Sequence, residues 1–428
     1  MSKIIKLNNK FFSYACTRCG SCKEIFPKNF EIKKNKFFLK KKLNNSELKK
    51  LKKFCPGIGF SYLKKNNTKY SNLIGHYEQS YIGYSLNSKI RSNSASGGII
   101  TEILINLIKE KKVDYVLMPI QGSNHNVLPS YQLTNNINLI KKNSQSIYTK
   151  IPINNLLNSK NYKIAFVGLP DQISSVRRLV KMSLINNNIK LFIGPMVGIN
   201  MDSNSLNGIR LSYNIYKNIK IKRIKWREGK WPGYLSITYE NNKKIKLNKF
   251  YYNFLLPFYC SHESLLSVDF TNEDADISVG DAWSPKYENT NSKGMSLIWS
   301  KNLYGDKLLK NFFLKNKLYI KKISYEEAIK MHAHMLDFKK RGSQYRKKIY
   351  KFFNIQTPNN LIRKVDYKPS RYLIEAAILF TIFILRSKIG KIVLIIISPK
   401  ILGPLFQKLR LLWKFITKKT KREGLEKF

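Results

Sequence analysis

Cys16-Thr17-Arg18-Cys19-Gly20-Ser21-Cys22, read together with Cys55-Pro56-Gly57, sets the frame for the rest of the chain. Three thiols at C-x2-C-x2-C spacing on one tight loop converge on a cubane iron-sulfur cluster, and the N–H groups of such a loop point at the cluster sulfurs. The fourth ligand has to come from a distant Cys-Pro. Cys16, Cys19, Cys22 and Cys55 are therefore the expected ligands of one 4Fe-4S cluster. The competing reading is a zinc knuckle or a set of plain buried thiols. Zinc sites usually pair their ligands as two C-x2-C units, so a triplet plus Cys-Pro favours the cluster.

Where a two-cluster ferredoxin would continue with x3-C-P, the chain reads Phe26-Pro27. The pattern is that of one ferredoxin half that keeps its four ligands beside a half that has lost its cluster. The basic segment Lys33 to Lys53 must fold back to bring Cys55 to the triplet. The expected fold class is α+β, with a small ferredoxin-like iron-sulfur domain at 1–70, a layered α/β domain at 71–340 and a basic helical tail at 341–428. A unit as small as the first depends on its metal for stability.

The 428 residues suffice for a large core and two or three folding units. The fifth cysteine, Cys260, has no cysteine near it in sequence, which argues against a disulfide framework and for a reducing cytoplasm. The formal charge of +52 favours anionic partners such as lipid headgroups, acidic polymers or phosphates. The excess is spread as Lys among Asn and Ile, without an RNA-recognition or helix-turn-helix pattern, so nucleic acid is not the expected partner. Met1-Ser2-Lys3-Ile4-Ile5-Lys6 lacks an apolar signal core, and secretion is not indicated.

Beyond the first unit, Ser94-Ala95-Ser96-Gly97-Gly98 leads into an apolar helix pattern from Ile99 to Lys109 and a buried-strand pattern from Asp114 to Ile120. Small residues at a helix start let backbone N–H groups approach a phosphate. An ordinary glycine-rich helix entry is the alternative. Lys163 to Val167 reads as a strand ending in the turn Gly168-Leu169-Pro170-Asp171-Gln172, followed by a helix from Ile173 to Ile185 and a strand from Ile189 to Ile193. Strand and helix thus alternate, and ligands of such domains collect at the carboxyl ends of the strands, near Gly168, Asp171 and Gln172. Trp226 and Trp231 flank Arg227 and Lys230 and would make either a stacking wall for a planar ring or hairpin packing. Asn272, Asp276 and Asp281 surround a short strand ending in Gly280-Asp281, where carboxylates bind ribose-type hydroxyls or cap turns. Leu303 to Leu314 and Tyr325 to Leu336 read as helices. His332 and His334, two apart on one helix, face different sides and do not make a metal pair.

In the tail, the apolar stretches Tyr372 to Leu385 and Ile389 to Ile397 are short for a membrane span and are interrupted by Glu375, Arg386, Lys388, Lys391 and Pro399. Basic residues beside apolar faces fit a helix lying in an anionic membrane surface. Helices packed on the main domain are the alternative.

The order of these motifs resembles the beta subunits of deazaflavin-coenzyme (F-420) hydrogenases and dehydrogenases, over roughly residues 10 to 345, and most closely the bacterial members found with polysaccharide-biosynthesis genes. The resemblance implies that the α/β domain binds FAD and passes electrons between clusters, flavin and a second substrate. On that reading Ser96, Gly97, Gly98, Gly168, Gln172, Asn272, Asp276 and Asp281 are the flavin candidates, the glycines for close backbone approach and the others for hydrogen bonds. Arg177 is a further candidate for a phosphate. The departures are specific: Asp171 stands in the place of a family cysteine, Ser264-Leu265-Leu266-Ser267-Val268-Asp269 replaces a C-x2-C-x-D, and a further cysteine after the strand 189–193 is absent. The implied core cluster beside the flavin is therefore gone.

The expected function is a flavin-dependent iron-sulfur oxidoreductase that takes electrons from a ferredoxin-like donor and acts on an organic small molecule. The expected place is cytoplasmic, with peripheral attachment to the inner face of the membrane. The alternative is a non-catalytic or nucleotide-sugar-binding protein of surface-polysaccharide assembly that keeps the fold without the redox chain.

Overall fold

Four short runs rich in β-branched and aliphatic residues form the parallel centre of one sheet: β4 (Tyr115–Ile120), β6 (Ile164–Val167), β7 (Ile189–Pro195) and β11 (Ile277–Asp281). Runs of this kind, apolar on both faces, are what a sheet covered on both sides requires. Four antiparallel strands extend it: β5 (Ser130–Thr134) on one edge, and β12 (Ser296–Ser300), β3 (Gln79–Ser85) and β13 (Leu318–Lys322) on the other. The order is β13-β3-β12-β11-β7-β6-β4-β5. The computed structural model describes residues 11–33, 36–59, 69–122, 128–154, 156, 159–215, 219–248, 252–288, 293–358 and 368–416. The expected interruption of the tail at Pro399 lies among them; the N-terminal residues 1–10 and the last residues, 417–428, lie outside.

The two-residue period of β6 divides the core. Ala165 and Val167 face one apolar cluster, and Ile164 and Phe166 face a second. The first is closed by α3 (Ile99–Lys109), through Ile103, Leu104 and Leu107, and by α5 (Leu303–Leu314), through Leu308, Leu309 and Phe312. The second is closed by α4 (Pro170–Lys181), through Ile173, Val176 and Leu179. Layers of helix, sheet and helix result, as the alternation of strand and helix patterns predicts.

The N-terminal unit comprises a π turn at Phe11–Ala15, α1 (Ser21–Ile25), the hairpin of β1 (Phe30–Lys33) and β2 (Lys36–Leu39), and α2 (Asn45–Phe54). It does not stand on a core of its own. Phe11, Phe26, Phe30, Leu51 and Phe54 share the second cluster with Ile173, Val176 and Leu179, and Ser175 Oγ donates to the Phe54 carbonyl at 3.0 Å. The basic stretch that ends in α2 carries Leu51 and Phe54 on its inward side, so apolar contact with α4 seats the unit. A division near residue 70 therefore marks a change of sequence pattern and not a break in the core.

The helix expected from Ile173 to Ile185 instead runs Pro170–Lys181. Pro170 needs no N–H partner in the first turn, and Gln172 Oε1 accepts from Leu169 N at 2.9 Å, which starts the helix three residues early. Ser183, at φ 53°, ends it. A separate antiparallel meander, β8 (Ile221–Glu228), β9 (Tyr234–Tyr239) and β10 (Lys244–Asn248), packs with its own cluster around Ile224, Trp226 and Ile237. The chain continues through α6 (Tyr325–Asp337), α7 (Ser343–Phe352), α8 (Pro369–Arg386), α9 (Lys388–Ile396) and α10 (Pro399–Ile416).

Candidate functional site

A cleft with a volume of about 270 Å³ opens where the four parallel strands end. Pro119 of β4, Val167 of β6, Pro195 of β7 and Asp281 of β11 all line it, which is where doubly wound sheets hold their ligands. Its volume lies near the lower end of small-molecule sites.

Of the eight flavin candidates, Ser96, Gly98, Gly168, Gln172 and Asp281 line the cleft. Gly98 (φ 79°) is the residue before α3, and no side chain caps that helix start. Ile99, Ile100 and Thr101 follow along the cleft wall, which brings the uncapped first turn of the helix to the cleft. Ser96 Oγ donates to the Met295 carbonyl at 2.6 Å and thereby ties the turn to the start of β12. Gln172 is fully buried and already committed: its Oε1 accepts from Tyr131 OH at 2.7 Å and from Leu169 N, while Nε2 donates to the Ile151 carbonyl at 2.9 Å.

Gly97, Asn272 and Asp276 are placed outside the cleft wall. Gly97 N donates to Ser296 Oγ at 3.0 Å, and a Cβ there would meet the Gly83 carbonyl, so this glycine serves the packing of the turn on β3. Asn272 Nδ2 donates to the Gly168 carbonyl at 2.9 Å and braces the end of β6. Asp276 accepts from Arg177 Nη2 at 2.6 Å, Phe192 N at 2.7 Å and Asn302 Nδ2 at 2.5 Å, joining β7, α4 and α5. Arg177, the phosphate candidate, is spent on that carboxylate and lies over the Phe192 ring at 4.2 Å.

Asp281 is held by an arginine that the sequence offered as part of a stacking wall. Arg227, with its side chain 1% exposed, donates Nη1 to Asp281 Oδ2 at 3.0 Å and Nη2 to the Ala95 carbonyl at 2.7 Å, and so clamps the Ser94–Gly98 turn to the end of β11. Trp231 Nε1 reaches the same carboxylate at 3.3 Å, and His332 Nε2 donates to the Asp281 carbonyl at 2.8 Å. The wall itself does not form: Trp226 is buried in the meander core, and Trp231 packs on Trp283 with ring centres 4.6 Å apart. Most of the cleft residues that the sequence analysis does not name lie in two irregular stretches, Asn143–Thr149 and Met196–Asn200, with Tyr131, Ile151 and Ser296 beside them. Their only signal was a lack of period beside a strand end, where functional loops collect.

Cys16, Cys19, Cys22 and Cys55 surround one apolar cavity together with Phe11, Phe30 and Phe54. Among the described residues no group of three or more His, Cys, Asp or Glu side chains is arranged to hold a metal ion. Burial pushes the Cys16 thiol up to about 12, against the pull of the Arg18 N–H, which lies 3.4 Å from its sulfur. Burial first, and then the neighbouring thiolates, also push Cys22 and Cys55 upward. N–H groups of Lys23, Gly57 and Ile58 are directed at those two sulfurs. Four cysteines around one buried cavity, three of them with thiols that burial pushes up, suit a ligand that brings positive charge of its own.

The thiol loop and the cleft share a wall. Ile153 N donates to the Cys19 carbonyl at 2.8 Å, and at Gly20 (φ 100°) a Cβ would strike the Ile153 backbone. Thr149 and Ile151 of the same segment line the cleft. At the positions where the resemblance implies core-cluster cysteines, the chain has polar pairs instead. Asp171 accepts from Lys150 Nζ at 2.9 Å, Ser264 Oγ accepts from Asn200 N at 3.0 Å, and Lys339 Nζ donates to the Ser264 carbonyl at 2.8 Å.

Burial lowers Lys339 to about 7, with Asp171 opposing and Arg346 and Lys150 reinforcing. The unfolded chain holds this proton up to about 10.4, so over that window it binds a proton that the fold does not, and stability rises with pH. Lys339→Met is expected to be more stable than the parent below about pH 7, by an amount that shrinks on the order of 1.4 kcal/mol per pH unit as pH rises towards 10. Thermal unfolding of the two proteins across that range checks it. A constant difference would show that Lys339 stays charged in the fold.

The fold and site define an α/β protein with a ligand cleft at its parallel strand ends and a buried four-thiol cavity against the cleft wall. Two adjoining family models match, both of the coenzyme F420 hydrogenase/dehydrogenase beta subunit: its N-terminal part over residues 80–158, and its C-terminal part over residues 161–326. Together they span more than half of the chain, and the chain belongs to this family. Membership gives it a general oxidoreductase, electron-transferring role. A chain in a solved structure of the F420-reducing [NiFe] hydrogenase complex from Methanosarcina barkeri shares the fold, with a TM-score of 0.52 and 17% identity, over 68% of this chain and 97% of that one. No curated protein matches the sequence. The thiol unit and the tail lie outside both family models.

Proposed function

We propose that the chain is an iron-sulfur flavoprotein that takes electrons from a ferredoxin-like donor and delivers them, through FAD in the strand-end cleft, to an organic small molecule. The observation that carries this reading is the shared wall: Ile153 holds Cys19 while Thr149 and Ile151, on the same segment, line the cleft. A cluster on Cys16, Cys19, Cys22 and Cys55 would supply single electrons, and FAD in the cleft would gather them in pairs for hydride chemistry. The chain's own residues prepare both places. Gly98 and the open first turn of α3 offer N–H groups to a pyrophosphate. Arg227 fixes the Ser94–Gly98 turn to Asp281, and Gln172 locks Ile151 to the start of α4. Buried Tyr131, hydrogen-bonded to Gln172 and within the field of Cys19, closes the cleft floor towards the thiols.

The matched chain of Methanosarcina barkeri belongs to a hydrogenase complex; a protein donor docking near the thiol loop fits the same reading. The organic substrate is proposed to belong to surface-polysaccharide synthesis, a reading that the resemblance to polysaccharide-linked members supports. The place is proposed as cytoplasmic, with peripheral attachment to an anionic membrane through the tail, many of whose apolar side chains are exposed.

The test is the visible spectrum of protein purified without oxygen and then reconstituted with excess FAD. Resolved flavin bands that survive gel filtration, and weaken in Arg227→Ala as the turn loosens, are expected. A chain that retains no flavin sinks the oxidoreductase reading and leaves a nucleotide-sugar pocket as the better account of the cleft.

A further inference from the structure

Helix α8 is built inside out. Arg371, Glu375 and Ile382, spaced four and seven apart and so on one helix face, are buried against the body, whereas Leu373, Phe380 and Phe383 are 73%, 65% and 75% exposed. Charged residues inward and aromatic residues outward invert the pattern of a helix that faces water. The inward charges pair with one another and with the body: Glu375 with Arg346 and Arg371, and Arg371 with Asp337. Among the described residues, no element covers the outward face.

The next two helices also leave apolar side chains exposed. On α9, Gly390 and Leu394 are buried while Ile389, Ile392 and Ile396 are exposed. On α10, Leu402 and Gly403 are buried while Ile401, Leu405, Leu409, Leu412 and Ile416 form an outward stripe at helical spacing. Most of the large apolar side chains that stand exposed among the described residues belong to these three helices. Monomeric proteins rarely leave so continuous an apolar surface to water.

Charge selects the occupant. Across 369–416 the one acidic residue, Glu375, is buried, while Lys388, Lys391, Lys400 and Lys408 stand exposed beside the apolar stripes. Next to the start of α10 an open hollow is lined by Lys243, Lys246 and Lys400 with Tyr213 and Asn248. Lysines ringing an apolar face match the phosphate layer around acyl chains, and the chain's formal charge of +52 draws it to an anionic leaflet. A protein partner would need a large acidic collar around an apolar centre. Crossing the bilayer is disfavoured by shape: no single helix among the described residues is long and apolar enough, and α9 and α10, which together pass by length and composition, meet at a bend of 117°. Leu394 and Leu402 also tie both helices to the core of the meander.

We infer that the outward faces of α8, α9 and α10 form one docking surface that enters a single leaflet of an anionic bilayer in its plane, with the surrounding lysines at the lipid phosphates. This rests on the peripheral attachment proposed above and assigns its surface and mode. The test uses the full chain with vesicles of phosphatidylcholine containing phosphatidylglycerol, and of phosphatidylcholine alone. The parent should sediment with the anionic vesicles and be released by carbonate. Phe380→Asp/Phe383→Asp and Leu409→Asp/Leu412→Asp, with unchanged circular dichroism, should each lower partitioning at least about tenfold, and Lys388→Glu/Lys391→Glu should weaken binding most at low salt. If the parent binds but the apolar-face variants bind equally well, the assigned surface is wrong while attachment stands. If the parent binds neither vesicle, attachment and surface fail together. Resistance to carbonate would overturn the single-leaflet mode, and a parent dimer dispersed by Phe380→Asp/Phe383→Asp without vesicle binding would make this face a self-interface.

Discussion

Protein purified without oxygen is expected to carry about four iron and four sulfide per chain, and to lose nearly all of both when any one of Cys16, Cys19, Cys22 or Cys55 becomes Ser. These four thiols surround one cavity, and N–H groups are directed at the sulfurs of Cys16, Cys22 and Cys55. Cys260→Ser should leave the iron unchanged, because Cys260 is buried elsewhere, packed with Leu265, Phe338 and Ile382. About eight iron, or zinc in place of iron, would refute the assignment. The same variants separate two views of the N-terminal unit. A free-standing unit of this size would unfold on losing its metal, whereas Leu51 and Phe54 lie in the core shared with α4. Iron loss should therefore lower the thermal midpoint and loosen the thiol loop without unfolding α2. Functionally, Cys19→Ser should leave FAD bound but slowly reduced by a ferredoxin, since Ile153 and its neighbours connect this cysteine to the cleft. Unchanged reduction would show that electrons enter the cleft by another route.

What the sequence disclosed follows from how local each signal is. Helix α5 was legible to the residue, because its apolar period and the Asn302 cap, which accepts from Gly305 N at 2.8 Å, lie within its own stretch. The cleft was legible at Gly98, Gly168 and Asp281, since strand ends in an alternating pattern mark the site before any contact is known. Asn272 and Asp276 were misplaced because an amide or carboxylate near a Gly-Asp strand end looks the same whether it faces a ligand or braces the fold. The difference lies in Gly168, Phe192, Arg177 and Asn302, which come from other elements. The seat of the thiol unit escaped for the same reason: a lysine-rich stretch shows its charge in sequence, while the partner of Leu51 and Phe54 is more than a hundred residues away. In the tail, Glu375 read as an interruption of an apolar run, yet it marks the inward face of α8.

That inward face carries the largest stability effect. Arg346 is fully buried; its Nε donates to the Leu265 carbonyl at 2.8 Å and Nη2 to the Phe338 carbonyl at 2.6 Å, Nη1 reaches Glu375, and the guanidinium lies 3.8 Å from the centre of the Phe338 ring. Arg346→Met keeps most of the volume but removes three donor positions, leaving two buried carbonyls without this partner and Glu375 with Arg371 alone at 2.7 Å. Breaking a buried pair from one side costs about 3–5 kcal/mol, because the surviving charge keeps its desolvation penalty. Arg346→Lys should fall between, retaining the charge without the planar fork. Arg346→Met/Glu375→Leu should recover much of the loss, since both charges leave together and Arg371 keeps Asp337 at 2.6 Å. Denaturant midpoints for the four proteins make the comparison. If the single change costs less than about 1 kcal/mol, the network contributes no more than a surface pair would. A full loss with recovery in the double variant would show that the cost is the buried charge left behind on Glu375 and not the lost volume of Arg346.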